Sequence, residues 1–163
     1  MRKFVIGVMG GARVSRQDYE QAEQLGELIA EQGWILLNGG RDAGIMRASA
    51  EGAKRRGGLT IGILPGPDAD EANPFIDIAV ATGMGSARNV INVLSSDVIV
   101  ACRGGAGTIS EVALALKSGK TVILLGWSTA PLFAQEAEEG RLMTVETPQA
   151  CIETIQRMVK GPS

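Results

Sequence analysis

The sequence predicts an α/β domain built on a doubly wound, mostly parallel sheet of six to seven strands with helices on both faces. Three observations predict it. Short apolar runs alternate with helical patterns along the whole chain. Those runs are apolar throughout instead of alternating, so both of their faces must be covered. Glycine clusters follow several of them, where such sheets turn at the carboxyl ends of their strands. No internal repeat or linker interrupts the pattern, so residues 1–163 read as one domain.

The first strand is expected over Phe4–Met9 and the first helix over about Asp18–Gln32. Tyr19, Ala22, Leu25, Leu28 and Ile29 share one face of that helix, Ser15 is placed to cap it, and Gly33 stops it. Strand two is Trp34–Leu37. The loop Asn38–Gly44 opens a helix that runs through Lys54 and ends at Gly57-Gly58. Strand three is Thr60–Leu64, closed by Pro65, and the polar residues Gly66–Pro74 read as a surface loop. Strand four is Ile76–Ala81, followed by a short helix from about Ala87 to Leu94. Strand five is Asp97–Ala101, and the Gly104–Thr108 loop opens a helix to Leu116. Strand six is Thr121–Leu125, and Leu142–Val145 is an expected edge strand. Thr147-Pro148, a cap residue and then proline at the first helical position, starts the last helix, which ends before Gly161.

Composition narrows the function. The net charge is −2, so no chain-wide cationic field exists to gather nucleic acid or an anionic membrane surface, and neither is an expected partner. No apolar stretch reaches membrane-spanning length, and the N-terminal apolar run is too short for a signal segment. A cytoplasmic location is the expectation. Cys102 and Cys151 form no paired framework and read as buried reduced thiols. Histidine is absent, which removes the commonest general base and the commonest metal ligand; no metal site is expected.

The 22 glycines are about twice the usual share. Gly10-Gly11 follows strand one, Gly39-Gly40-Arg41 to Gly44 follows strand two, and Gly83 to Asn89, with Gly85 and Arg88, follows strand four. Gly104-Gly105-Ala106-Gly107-Thr108 follows strand five. All fall on one sheet edge, which points to a shared ligand crevice. Successive amides in the last loop can turn toward one point, Thr108 adds a hydroxyl or else caps the helix, and the helix N-terminus favours an anion. A phosphate fits there. The stretch Gly105–Ser110 lacks the third glycine of a dinucleotide fingerprint, and Gly119-Lys120-Thr121 runs from helix to strand, the reverse of a P-loop. Arg88 and Glu111 should both face the crevice, either as ligand or catalytic groups or as an ion pair joining two helices. Arg41 can reach an anion or stay solvated. Met46 and Met84 read as core fillers.

Together, Gly39-Gly40 to Met46, Ala87-Arg88-Asn89, and the GGxGTxxE run Gly104–Glu111 resemble the lysine-decarboxylase-like (LOG-like) superfamily. The resemblance covers nearly the whole chain and implies a Rossmann-like nucleotide-binding fold, not amino-acid decarboxylation. One branch contains cytokinin-activating phosphoribohydrolases, which cleave the N-glycosidic bond of nucleoside 5′-monophosphates; it implies Arg88 and Glu111 as the catalytic pair. The sequence departs from that branch at Cys102-Arg103, where it has proline, at Asn89, where it has lysine, and at Ser110, where it has glutamate. The second branch, the molybdenum cofactor carrier-like proteins, is closer in Ile6–Gly11, Ala87–Asn92 and Ser95-Ser96-Asp97. It implies a homodimer or higher homo-oligomer that binds a molybdopterin-type cofactor without turning it over. The expected function is therefore a carrier of a phosphorylated heterocycle such as the molybdenum cofactor. The alternatives are a phosphoribohydrolase and a nucleotide sensor. No resident cofactor is required; molybdenum cofactor or nucleotide would be the bound ligand.

Overall fold

In the computed structural model, which describes residues 1–161, seven strands form one sheet in which every pairing is parallel. The elements follow in the order β1 (Val5–Met9), α1 (Arg16–Glu31), β2 (Ile35–Asn38), α2 (Gly44–Arg55), β3 (Thr60–Leu64), β4 (Ile78–Ala81), α3 (Asn89–Leu94), β5 (Val98–Ala101), α4 (Ala106–Lys117), β6 (Thr121–Leu125), α5 (Ala134–Glu138), β7 (Leu142–Val145) and α6 (Pro148–Lys160). The strand order is β4-β3-β2-β1-β5-β6-β7. The chain winds outward from β1 to β4, then returns to the other side of β1 and winds outward again. The reversal falls between β1 and β5, the point at which such sheets open a crevice at their carboxyl ends. Ile6 pairs with Val98 and Met9 with Ala101, so both strands end level at its floor.

The continuous apolar strands supply two cores, one on each face. Successive residues of β5 divide between them: Val98 and Val100 pack with Ile6, Leu25, Ile29, Ile45 and Ile152, while Ile99 and Ala101 pack with Met9, Val93, Val112 and Leu116. Both cysteines lie in the first core, unpaired, where burial pushes each thiol up, Cys151 to about 12. Ser15 caps α1 by accepting from the Asp18 amide, and Thr147 caps α6 by accepting from the Ala150 amide, as expected of both.

Helices α1 and α2 cross at closest approach through two glycines. A β-carbon on Gly26 would run into the Ser49 carbonyl, and one on Gly52 into the Glu23 carbonyl. Across the same contact Arg55 meets Glu23 and Glu27, and Arg56 meets Glu27 and Glu31.

Four expectations change. Strand four begins at Ile78, because Asp77 turns aside to accept from Lys54 and from the Thr60 amide. This edge strand is not covered on both faces: Ile78 is 46% and Val80 39% exposed. Helix α5 was not expected; five residues after a proline-containing loop leave little periodicity to read. Met84 is 50% exposed in the turn before Gly85 and fills no core, whereas Met46 is buried. No helix is long and apolar enough to cross a membrane among the described residues.

Candidate functional site

A crevice of about 280 Å³ lies at the carboxyl ends of β1, β2 and β5. Its floor is the β1 loop. The Gly11 amide donates to the Arg103 carbonyl at 3.0 Å, and the Gly11 carbonyl accepts from the Ile45 amide at 3.0 Å. The floor is thereby tied to the loop after β5 on one side and to the start of α2 on the other. Gly10 must be glycine because a β-carbon there would strike the Ile45 side chain.

The wall after β2 is shaped by Asn38. Its buried side-chain amide donates to the Met46 carbonyl at 2.8 Å and to Ser49 Oγ at 3.1 Å, and its carbonyl oxygen accepts from the Gly40 amide at 2.8 Å. One side chain thus folds the glycine loop back and fixes α2 beneath it. Gly40, at φ +76°, packs against Gly62 and Leu64. Gly44, at φ +47°, packs against the Gly11 and Ala12 carbonyls. These two support the wall, while Gly39 and Arg41 line the cavity.

The wall after β5 is the phosphate-loop candidate. Helix α4 begins at Ala106 with Gly105 at the cap position, so Gly107 and Thr108 lie in the first helical turn and Thr108 does not cap. Among the described residues, none of the amides from Gly104 to Thr108 donates to a protein acceptor. Gly105 and Gly107 line the cavity and have open space where a β-carbon would stand. Gly104 stands behind them, its α-hydrogens against the Thr108 side chain and the Gly11 amide. Thr108 is buried but reaches the cavity. A row of unengaged amides at the head of a 12-residue helix has the donors that an anion can accept from.

The loop after β4 delivers Arg88. A 3-10 turn over Gly85–Arg88 precedes α3, and the Gly83 and Gly85 amides anchor it to the Gly66 and Pro65 carbonyls. Gly85 lies outside the cavity lining; at φ +56° it makes the turn. The Arg88 guanidinium reaches over the end of β2, with Nη2 3.0 Å from the position of a Gly39 β-carbon. Nη1 donates to Asn89 Oδ1 at 2.6 Å, and the buried Nε has no partner. Burial lowers the Arg88 pKa, the Arg41 charge lowers it further, and Glu111 opposes both. The group still carries its charge at neutral pH.

Glu111 is buried, 8% exposed, one turn into α4. Burial raises its pKa, against the hydrogen bond from Asn92 and the charge of Arg88. Asn92 Nδ2 donates to Glu111 Oε2 at 3.2 Å, and Asn92 Oδ1 is buried without a partner. No ion pair joins Arg88 to Glu111 among the described residues, so the two do not serve as a helix tie. Both line the cavity.

Ten of the residues expected at the site therefore meet at one cavity: Gly10, Gly11, Gly39, Arg41, Arg88, Asn89, Gly105, Gly107, Thr108 and Glu111. Gly40, Gly44, Gly85 and Gly104 support its walls. Asn92, Ser86 and Met46 line it as well and were not expected there. Asn92 follows Asn89 by three residues, one helical turn, and that spacing was the available signal.

The chain is similar to several known proteins. The molybdenum cofactor binding protein of Rippkaea orientalis superposes with a TM-score of 0.89 at 49% identity, covering 98% of this chain and 99% of that one. The molybdenum cofactor carrier protein of Chlamydomonas reinhardtii superposes with a TM-score of 0.90 at 44% identity, covering 98% of this chain and 100% of that one. A cytokinin riboside 5′-monophosphate phosphoribohydrolase of Mycobacterium tuberculosis is 33% identical over 95 residues, 57% of this chain and 51% of that protein. The SLOG cluster4 family model matches residues 3–152, and the chain belongs to that family.

Proposed function

We propose that this protein binds and carries a phosphorylated heterocycle, the molybdenum cofactor, holding its phosphate on the amides of Gly104–Thr108. The observation that carries the reading is that those amides are unengaged and border an open crevice. The two molybdenum cofactor proteins that superpose over nearly their whole length support the choice of cargo. Arg88 supplies a cation with an unpartnered Nε, a feature that a bound acceptor would satisfy. Gly10, Gly11 and Gly39 let the ligand approach the backbone, and Asn89 and Thr108 add polar contacts. No chemistry on the ligand is needed, and the absence of histidine suits a carrier. The protein acts in the cytoplasm as a homodimer or larger homo-oligomer, with neither nucleic acid nor membrane as partner.

Native mass spectrometry of the protein as isolated tests this reading and the assembly together. A mass increment matching molybdopterin, with pterin fluorescence after oxidation, is the expected result. A protein that neither retains nor binds a pterin overturns it.

One observation favours a second reading. Arg88 and Glu111 share the cavity without forming a direct ion pair among the described residues, and Glu111 is held in a desolvated place where a carboxylate can stabilise a developing cationic sugar. A phosphoribohydrolase would use that pair. Incubation with nucleoside 5′-monophosphates decides: release of free base that stops in Glu111→Gln establishes the hydrolase, and no release leaves the carrier. A nucleotide that raises the melting temperature without being cleaved would mark a sensor.

A further inference from the structure

The amides of Gly104–Thr108 and the Arg88 guanidinium offer a ligand donors only, and one group in the same cavity asks for the reverse. Asn92, in the second half of α3, is 1% exposed and lines the crevice. Its Nδ2 donates to Glu111 Oε2 at 3.2 Å, which leaves Oδ1 buried with no partner among the described residues. An ionised carboxylate accepts and does not donate, so the amide turns its NH2 to Glu111 and keeps its oxygen for something else. The position is held from two sides. Ser96 Oγ donates to the Asn92 carbonyl at 2.8 Å, and Asn89 Nδ2 donates to Ser110 Oγ at 3.3 Å, a second tie between α3 and α4.

A buried acceptor without a donor costs free energy that a bound donor recovers. A phosphate dianion has no hydrogen to give, so Asn92 Oδ1 does not serve the phosphate. The donor has to come from the rest of the ligand. Beside Asn92 stands the Glu111 carboxylate, whose one hydrogen-bond partner among the described residues is Asn92 itself. Two acceptors therefore lie side by side on the cavity wall. Val8, Met9 and Met46 border the same cavity, and their apolar side chains suit the face of a flat ring. A hydroxyl would bring a single hydrogen to this pair. A ring N–H next to an exocyclic amino group brings more, and the two hydrogens of the amino group can span both acceptors.

We propose that Asn92 and Glu111 read the amino edge of the heterocycle, a ring N–H adjacent to an exocyclic NH2, the edge that pterins and guanines carry. This rests on the carrier reading and specifies which end of the pterin meets α3 and α4. Asn92 Oδ1 accepts from the amino group, and the Glu111 carboxylate accepts from the amino group and the ring N–H, bonds strengthened by its charge. A ring with oxygen in place of the amino group sets lone pair against lone pair at Asn92 and is rejected. Asn92 is thus a specificity-determining residue of the site.

The test uses two fluorescent probes that differ in that one group: hydroxymethylpterin monophosphate and its lumazine counterpart, in which an oxo group replaces the amino group. Each carries a phosphate for the amides, and fluorescence titration gives the dissociation constants. Wild type is expected to bind the pterin about tenfold or more tightly than the lumazine, the penalty for leaving buried acceptors unpaired. Asn92→Ala should shrink that ratio. A purely structural role for Asn92 would weaken both probes together and leave the ratio unchanged; that result overturns its part in recognition. Equal binding by wild type, or tighter binding of the lumazine, overturns the subsite without recourse to any variant and leaves the carrier reading standing. Binding of neither probe also overturns the subsite, and retention of molybdopterin in native mass spectrometry then decides the carrier reading separately.

Discussion

Glu111 is the residue where burial and function pull hardest against each other. Its carboxyl is raised by desolvation, so the folded chain holds that proton to higher pH than the unfolded chain does. The resulting stability is full below the ordinary carboxylate range and is lost as pH rises through the raised value. Glu111→Gln removes the loss. Thermal melts across pH should show the variant more stable than wild type near neutrality, with the difference closing below about pH 4. The glycines of the same loop allow a second test. Gly104→Ala drives a β-carbon into the Thr108 side chain and the Gly11 amide, and should cost about 1–3 kcal/mol in denaturant titration. Gly107→Ala meets open space inside a helix and should stabilise by up to about 1 kcal/mol, yet it puts a methyl into the crevice where the proposed phosphate would sit. Phosphate-ligand affinity should fall about tenfold or more, read by calorimetry. The sequence showed that these glycines cluster. It could not show which face the ligand and which face the wall, because that depends on contacts such as Gly44 against the Gly11 carbonyl, 33 residues apart.

Among the elements, the α1–α2 crossing has no counterpart in the sequence reading. Gly26 and Gly52 sit inside helices, where glycine weakens the local preference, and only the reciprocal fit against Ser49 and Glu23 explains them. Gly52→Ala should cost more than about 2 kcal/mol in spite of its better helix propensity, a sign that urea denaturation reads directly. Strands were legible because parallel strands covered on both faces are continuously apolar, and β1, β3, β5 and β6 are. The edge strand β4 looked the same in sequence but keeps Ile78 and Val80 exposed. Sequence pattern gives the length of an apolar run but not what covers it.

For the whole molecule, the order of elements and the position of the crevice followed from the sequence, since alternating strands and helices leave few topologies and one switch point. The distribution of charge across that crevice did not, because Arg41 and Arg88 are 47 positions apart and come together only when the return to β5 places the β4 loop over β2. A ligand at a hundred times its dissociation constant should stabilise the folded chain by about 2.7 kcal/mol. In a chain of this length that is a rise of roughly 5–11 °C in melting temperature, which scanning calorimetry would register. No comparable rise in the presence of molybdopterin would count against the carrier reading.

The double anchoring of Gly11 has a kinetic meaning. A clamshell protein releases cargo by swinging its halves apart, but here the seam between the halves is stitched from beneath, to Arg103 on one side and Ile45 on the other. Those two bonds tie the floor of the groove to both of its walls. Whatever occupies the groove leaves by its open rim, at a pace fixed by how firmly it is gripped. On the carrier reading, delivery then depends on an acceptor that binds harder, not on a trigger within the protein.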